Sequence, residues 1–425
     1  MSESSWIEEY LLATENEIAV DAHLYSIGGS NAGAFGHLPR PSRWRGMSAK
    51  LQPALRIVGT VSRALWNVGA ARAYLNYDAS RLDRYRQSCA PAPQGLTSEC
   101  RELAVAFSSR AADVLHIPAL PEEPKQWLTF PWAPIHPLPP GQAQVDAFSL
   151  LTAEDIELAR KLAIRASAEL RRRPSTRLWA LQSYTAVRWF AARIALAKFT
   201  ECRLLIAEHY DRWAMLADAI ARSGRGNALT LVQHGALAGL SANGEAPSGR
   251  LHFPLPHRLT SVSRLSVYDA ISQSVFLSDV LTPECVARGV EMRTFKPTIE
   301  LTRMNTTGRA SLLIVGHTLC EPLHIALMNQ LSRGDVDVEV FYKPHPTAAP
   351  GNQVARQPWQ VIHERSVFPA VDLVVAYPST LVTEYANVGI PAVVHALDAT
   401  PDSAIALASE IQARLTGKVA TISVD

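Results

Sequence analysis

Residues 371–394, VDLVVAYPSTLVTEYANVGIPAVV, change period twice within a short stretch. An apolar run from Val371 to Ala376 ends at Pro378-Ser379-Thr380. Apolar residues then resume at helical spacing in TLVTEYANVG, and a second apolar run, PAVVHAL, follows. Strand, helix and strand in such quick succession imply a parallel sheet with crossover helices.

The same alternation extends toward the N-terminus. SLLIVGH (311–317) reads as a strand, CEPLHIALMNQLSRG as a helix, VDVEVFYKPHP as a strand and WQVIH as a short strand. A polar stretch, TRMNTTGR (302–309), suits a linker. Before it stands an earlier series in which RLLIAE (203–208) and ALTLVQHG (228–235) read as strands and DRWAMLADAIARSG as a helix, with RLTSVS and SVFLSDV expected as further short strands. Thr152 and Asp155 fit a capping box ahead of a helix of about twenty residues, and Leu178 to Phe199 is expected to form a second helix. The first ~150 residues, rich in Gly and Pro, read as irregular with strand-like or helical pieces between, and the basic group Arg40, Arg43, Arg45, Lys50 and Arg56 is either a solvated surface or an anion or lipid-headgroup site. The fold class is therefore α/β, with two doubly wound sheets whose strand ends face a cleft. The domains fall at 1–300 and 301–400, and the tail at 401–425 is expected to be helical and to pack back on the N-terminal domain.

Composition narrows the function. A chain of 425 residues exceeds one ordinary core, and its apolar fraction of 48% is that of a globular protein. With 41 basic and 39 acidic side chains the net charge is +2, which argues against wholesale nucleic-acid binding. Five scattered cysteines without CxxC spacing read as free thiols in a reducing compartment. No apolar run approaches the ~18 residues of a membrane span, so the expected location is cytoplasmic, with peripheral attachment at the inner membrane face left open.

The polar residues gather where strands end. In QHG, His234 emerges from an apolar run, either as a cap on the sheet or as a base of suitable pKa. In KPHP, two prolines hold Lys343 and His345 extended, either as a stiff turn or as a phosphate contact. Ser379 is a natural N-cap, and the start of the helix at Thr380 is a possible anion site. Glu384, one turn further on, is either solvated or placed to meet ribose hydroxyls. Gly316-His317-Thr318 forms another turn from strand to helix. There is no HExxH and no P-loop, so no metal site is expected.

Taken in order, strand-QHG, strand-KPHP and strand-PST-helix resemble the GT-B transferases of bacterial surface polysaccharides that use cytidine nucleotides. These include capsule sialyl-, polysialyl- and Kdo transferases and the CDP-glycerol glycerophosphotransferases. The resemblance covers roughly residues 200–400. It implies that His345, with Lys343 as a point charge, meets the donor phosphate, that Ser379 and Thr380 bind the same phosphate, and that His234 activates the acceptor. His317, Thr318 and Glu384 join the donor-binding set, and Glu208, or else Asp279, is the acidic candidate for a base. The chain departs from the pattern in carrying QHG where the glycerophosphotransferases have WHG. The acidic motif of the sialyltransferases is also not evident. The implied activity is metal-independent transfer of a sialic-acid-like or Kdo-like sugar from a CMP-activated donor to a capsule or lipopolysaccharide glycan, with no cofactor beyond the donor. A CDP-polyol phosphotransferase, a UDP-sugar epimerase and a non-catalytic glycan- or nucleotide-binding protein are the alternatives.

Overall fold

The computed structural model describes residues 3–27, 52–93, 95–117, 120, 126–133, 138, 141–235, 237, 249–304, 308–333, 337–345 and 350–422. Of the basic group, Arg40, Arg43, Arg45 and Lys50 lie outside them, and Arg56 falls in the helix Gln52–Leu65. Two compact units divide between Phe295 and Lys296.

The first unit is built on β1 (Glu102–Val105), β2 (Gln126–Thr129), β3 (Ala143–Asp146), β4 (Arg203–Ile206), β5 (Ala228–Val232), β6 (Val262–Val267) and β7 (Glu291–Thr294). They form one parallel sheet in the order β3-β2-β1-β4-β5-β6-β7. The order reverses between β1 and β4, and the carboxyl ends at such a reversal are where open α/β sheets bind ligands. The second unit holds β8 (Leu301–Thr302), β9 (Ala310–Val315), β10 (Val338–Lys343), β11 (Gln360–Val361), β12 (Phe368–Pro369), β13 (Leu373–Ala376) and β14 (Ala392–Val394). Its main sheet runs β11-β10-β9-β13-β14, with the reversal between β9 and β13, while β8 pairs with β12 alone. The expected doubly wound α/β fold is therefore present in both units.

Burial on both faces explains the unbroken apolar strands. From Ser311 to Val315 every residue of β9 is buried. Leu312 and Ile314 pack with Tyr342, Leu373 and Val375, and with Leu323, Leu327 and Leu331 of the helix Glu321–Leu331. Each fully buried leucine contributes roughly 1.5–3 kcal/mol. Gly316 follows β9 because the phenol of Tyr342, itself fully buried and stacked on Trp359 at 4.6 Å, lies where a Cβ would stand.

Several expectations change. Among the described part of the first 150 residues are the long helix Glu3–Ile27 and three strands of the first sheet. SVFLSDV is helical: Asp269 caps the helix Ala270–Val275, which continues as a wider turn over Phe276–Val280. The strand sought in RLTSVS begins only at Val262. The segment expected as one helix from Leu178 begins as a tight 3-10 stretch, Arg177–Thr185, before the α-helix Ala186–Leu196. Thr152 and Asp155 do form the capping box of the helix Ala153–Arg172. The tail is the helix Ala404–Ile422, and its Leu407, Ile411 and Leu415 enter the core of the second unit.

Candidate functional site

The reversal point of the first sheet collects Glu208 and His209 just beyond β4, and Gln233 and His234 just beyond β5. Gln233 is buried and holds the turn: its amide nitrogen donates to Ser272 Oγ at 3.0 Å, and its Oε1 accepts the Tyr268 amide at 2.9 Å. A tryptophan there could not make both bonds, so the Q of QHG has a structural reason. The backbone N–H of His234 donates to His209 Nε2 at 2.9 Å, and the two rings lie 4.0 Å apart. Arg110, in the first turn of the helix Ser109–Leu115 that follows β1, donates to the His234 carbonyl at 3.1 Å.

These contacts decide protonation. His209 is 5% exposed; burial first, then His234 and Arg110, hold it well below the usual imidazole range. It is a neutral imidazole whose Nε2 is engaged as an acceptor, so its proton sits on Nδ1. Glu208 is 4% exposed, and neither carboxylate oxygen has a well-aligned hydrogen bond, although its own amide and that of Ala207 lean toward it. Burial, reinforced by the charge of Asp211, pushes its carboxyl well above the usual range. His209 escaped the sequence reading because it has no ligand spacing. Its signal is positional, in that it follows the strand at which the sheet order reverses. Asp279, the other acidic candidate, is instead paired with Arg250 at 2.8 Å and accepts the Leu251 amide at 2.7 Å.

The reversal point of the second sheet gathers the three motifs of that unit. His317 follows β9, His345 follows β10, and Tyr377 and Ser379 follow β13. The His317 ring stands 5.3 Å from that of His345 and 5.5 Å from that of Tyr377, a residue the sequence reading did not single out. His317 Nδ1 accepts the Leu319 amide at 3.2 Å, which places the proton of the neutral ring on Nε2. Ser379 occupies the N-cap position of the helix Thr380–Asn387 with extended backbone, yet its hydroxyl accepts nothing from that helix and its oxygen is buried without a partner. Thr380 opens the helix, Glu384 lies in its second turn, and Thr318 lies in the turn after His317; all three are partly buried.

Lys343 takes a different place from the one expected. The residue is 6% exposed, and its ammonium donates to the carbonyls of Glu364, Arg365 and Val367 at 2.8, 3.2 and 2.8 Å, over the ring of Phe368 at 4.8 Å. Three donors on three carbonyls leave none for a phosphate. Burial lowers its pKa to about 8, against the charge of Glu364, and the three carbonyls favour the ammonium at neutral pH. Lys343 is therefore a clip that fixes the segment leading into β12.

No family model matches the chain, and none of the curated proteins matches it. Among solved structures, one described as trehalose-6-phosphate from E. coli bound with UDP-2-fluoro glucose is 12% identical, with a TM-score of 0.40 over 74% of this chain and 91% of that one. An alpha,alpha-trehalose-phosphate synthase (UDP-forming) from Burkholderia xenovorans in complex with glucose-6-phosphate is 13% identical, with a TM-score of 0.38 over 74% of this chain and 92% of that one. The N-terminal domain of Candida albicans trehalose-6-phosphate phosphatase is 10% identical, with a TM-score of 0.36 over 77% and 91%. Likenesses this distant carry no conclusion about chemistry. Among the described residues no helix is long and apolar enough to cross a membrane.

Proposed function

We propose that the chain is a GT-B glycosyltransferase that moves a sugar from a nucleotide-activated donor, CMP-linked in the first instance, to a glycan acceptor. The observation that carries the reading is the gathering of His317, His345, Tyr377 and the uncapped Ser379 helix start at the strand reversal of the second sheet. Departure of a nucleotide places negative charge on phosphate oxygens. Imidazole N–H groups, hydroxyls and the positive end of a helix dipole stabilise that charge in a desolvated site, in place of a metal. In this reading His345 assists the leaving phosphate, Ser379 and Thr380 hold it, and Glu384 meets the ribose. Lys343 leaves the donor set and shapes the turn that presents His345.

In this reading His234, partly exposed at the end of β5, is the base. Glu208, whose carboxyl burial holds well above the usual range, is the alternative proton carrier.

The test is nucleotide release from a panel of CMP-, CDP- and UDP-linked donors, with and without glycan acceptors. Acceptor-dependent CMP release from a CMP-sugar is the expected result. Release from CDP-glycerol instead would move the reading to polyol phosphate transfer, and turnover of a UDP-sugar without an acceptor would move it to epimerisation. A chain that binds none of these nucleotides in calorimetry is not a transferase of this kind.

A further inference from the structure

Behind the turn that carries His317, the fold joins three side chains that are far apart in sequence. Cys320 precedes the helix Glu321–Leu331 and His324 lies one turn into it, while His395 follows β14. Cys320 and His324 are fully buried and His395 is 8% exposed. Their ligand atoms all lie within 4.8 Å of one another. We propose that Cys320 Sγ, His324 Nε2 and His395 Nε2 form a binding site for a zinc-type divalent cation.

The donor set fits the ion. One thiolate and two imidazoles suit zinc, whose bonds of about 2.0–2.3 Å put tetrahedral ligand atoms about 3.3–3.8 Å apart. His324 Nε2 and His395 Nε2 are 2.9 Å apart, so small side-chain rotations bring the three atoms to one centre. The second shell fits as well. His395 Nδ1 lies 2.8 Å from the Ala396 carbonyl, which takes its N–H and leaves Nε2 with a lone pair aimed at the cluster. Without a cation, the pair shares one N–H···N bond, and His324 Nδ1 is buried with no partner. Two buried imidazoles and a thiol, with one imidazole nitrogen left without a partner, are a costly interior beside a mainly apolar sheet core.

On binding, the thiol proton leaves to solvent, the His324 proton moves to Nδ1, and the cation takes both Nε2 lone pairs, with water as the fourth ligand. The site lies too deep for substrate, so its role is structural. The Cys320 backbone N–H donates to the His317 carbonyl at 3.0 Å, so the cation would fasten the turn that presents His317 to the end of β14. The sequence reading expects no metal because His395 is far from the Cys-x3-His pair in sequence, and only the sheet brings it near.

The experiment uses the full chain, treated with chelator and then titrated with cobalt(II) or zinc(II) alone. One cation per chain by mass spectrometry, a thiolate-to-cobalt charge-transfer band that zinc abolishes, and a rise of several degrees in Tm are expected. Cys320→Ser should remove the band, and His395→Asn should weaken uptake by roughly a hundred-fold or more. Both variants are checked for folding by near-UV circular dichroism without metal. If Cys320→Ser does not fold, His395→Asn carries the test together with the metal dependence of the wild-type Tm. No uptake by the wild type, or uptake and Tm shift unchanged in the folded variants, overturns the proposal.

Discussion

The two units share a strand plan, each main sheet reversing its order beside the earliest of its own strands, and each places two histidines at the carboxyl ends near that reversal. What surrounds the histidines differs. In the first unit His209 and Glu208 are buried, and burial is the largest influence on their charge state. In the second, His317, His345, Ser379 and Thr380 are all partly exposed, and the buried cation, Lys343, is spent on backbone carbonyls. The lesson is that one topology can hold a proton-handling edge, where desolvation matters most, and an anion-handling edge, where accessible donors matter most.

The strongest way to break this comparison is His345→Ala. If the second edge handles the leaving phosphate, donor turnover falls by about 10²–10⁴, while Tm changes little because the ring is partly exposed. Full activity in a folded variant would reduce the second edge to a turn. Lys343→Met comes next and should act in the opposite manner. Removing the ammonium leaves three carbonyls without their donor, and urea unfolding should show a loss of about 3 kcal/mol or more. Lys343→Arg should not restore it, since a planar guanidinium cannot direct donors as an ammonium does. A Lys343→Met protein of normal stability but without activity would return Lys343 to the phosphate site.

How far the sequence could be read follows from the same physics. Strands buried on both faces are legible as apolar runs, so β4, β5, β9, β10, β13 and β14 could be found along with the helices between them. β1, β2 and β3 are four residues each and lie among Pro-rich segments, where a strand has too few residues to display a period. SVFLSDV looks like a strand because its apolar residues are closely spaced, but the cap at Asp269 and the packing of Val275, Phe276 and Val280 make it helical. Within the candidate sites, His317, His345, His234 and Ser379 were visible because strand ends are. Tyr377 and His209 became visible only through the contacts they make, and the role of Lys343 only through its three carbonyl partners.

A smaller effect tests whether burial governs the first edge. Glu208 has a raised pKa in the folded chain, so between about pH 4.5 and that raised value the folded state keeps a proton that the unfolded state has lost. Stability from this group is full below the unfolded pKa and is lost as pH rises through the folded one. Glu208→Gln should remove that loss and raise the urea midpoint at pH 8, with a smaller difference or none at pH 4. His209 works the other way: its lowered pKa withdraws stability as pH falls below about 6.5, and His209→Gln should flatten that acid limb. If Glu208→Gln is no more stable at pH 8 than the wild type, the carboxylate is solvated or paired in solution and the first edge is not sealed.

The smallest expected change in stability separates two residues that look alike in sequence. Thr152 and Ser379 each precede a helix as an N-cap. Thr152 accepts the Asp155 amide at 3.2 Å, and Asp155 accepts the Thr152 amide at 2.9 Å, so Thr152→Ala should cost about 1 kcal/mol. The Ser379 hydroxyl makes no such bond, so Ser379→Ala should change stability by less than about 0.5 kcal/mol. If its hydroxyl is reserved for a donor phosphate, the change should appear as weaker nucleotide binding, by about tenfold in calorimetry. A Ser379→Ala variant that loses a full cap's worth of stability and binds nucleotide normally would make Ser379 an ordinary cap, and the second edge would lose its anion site.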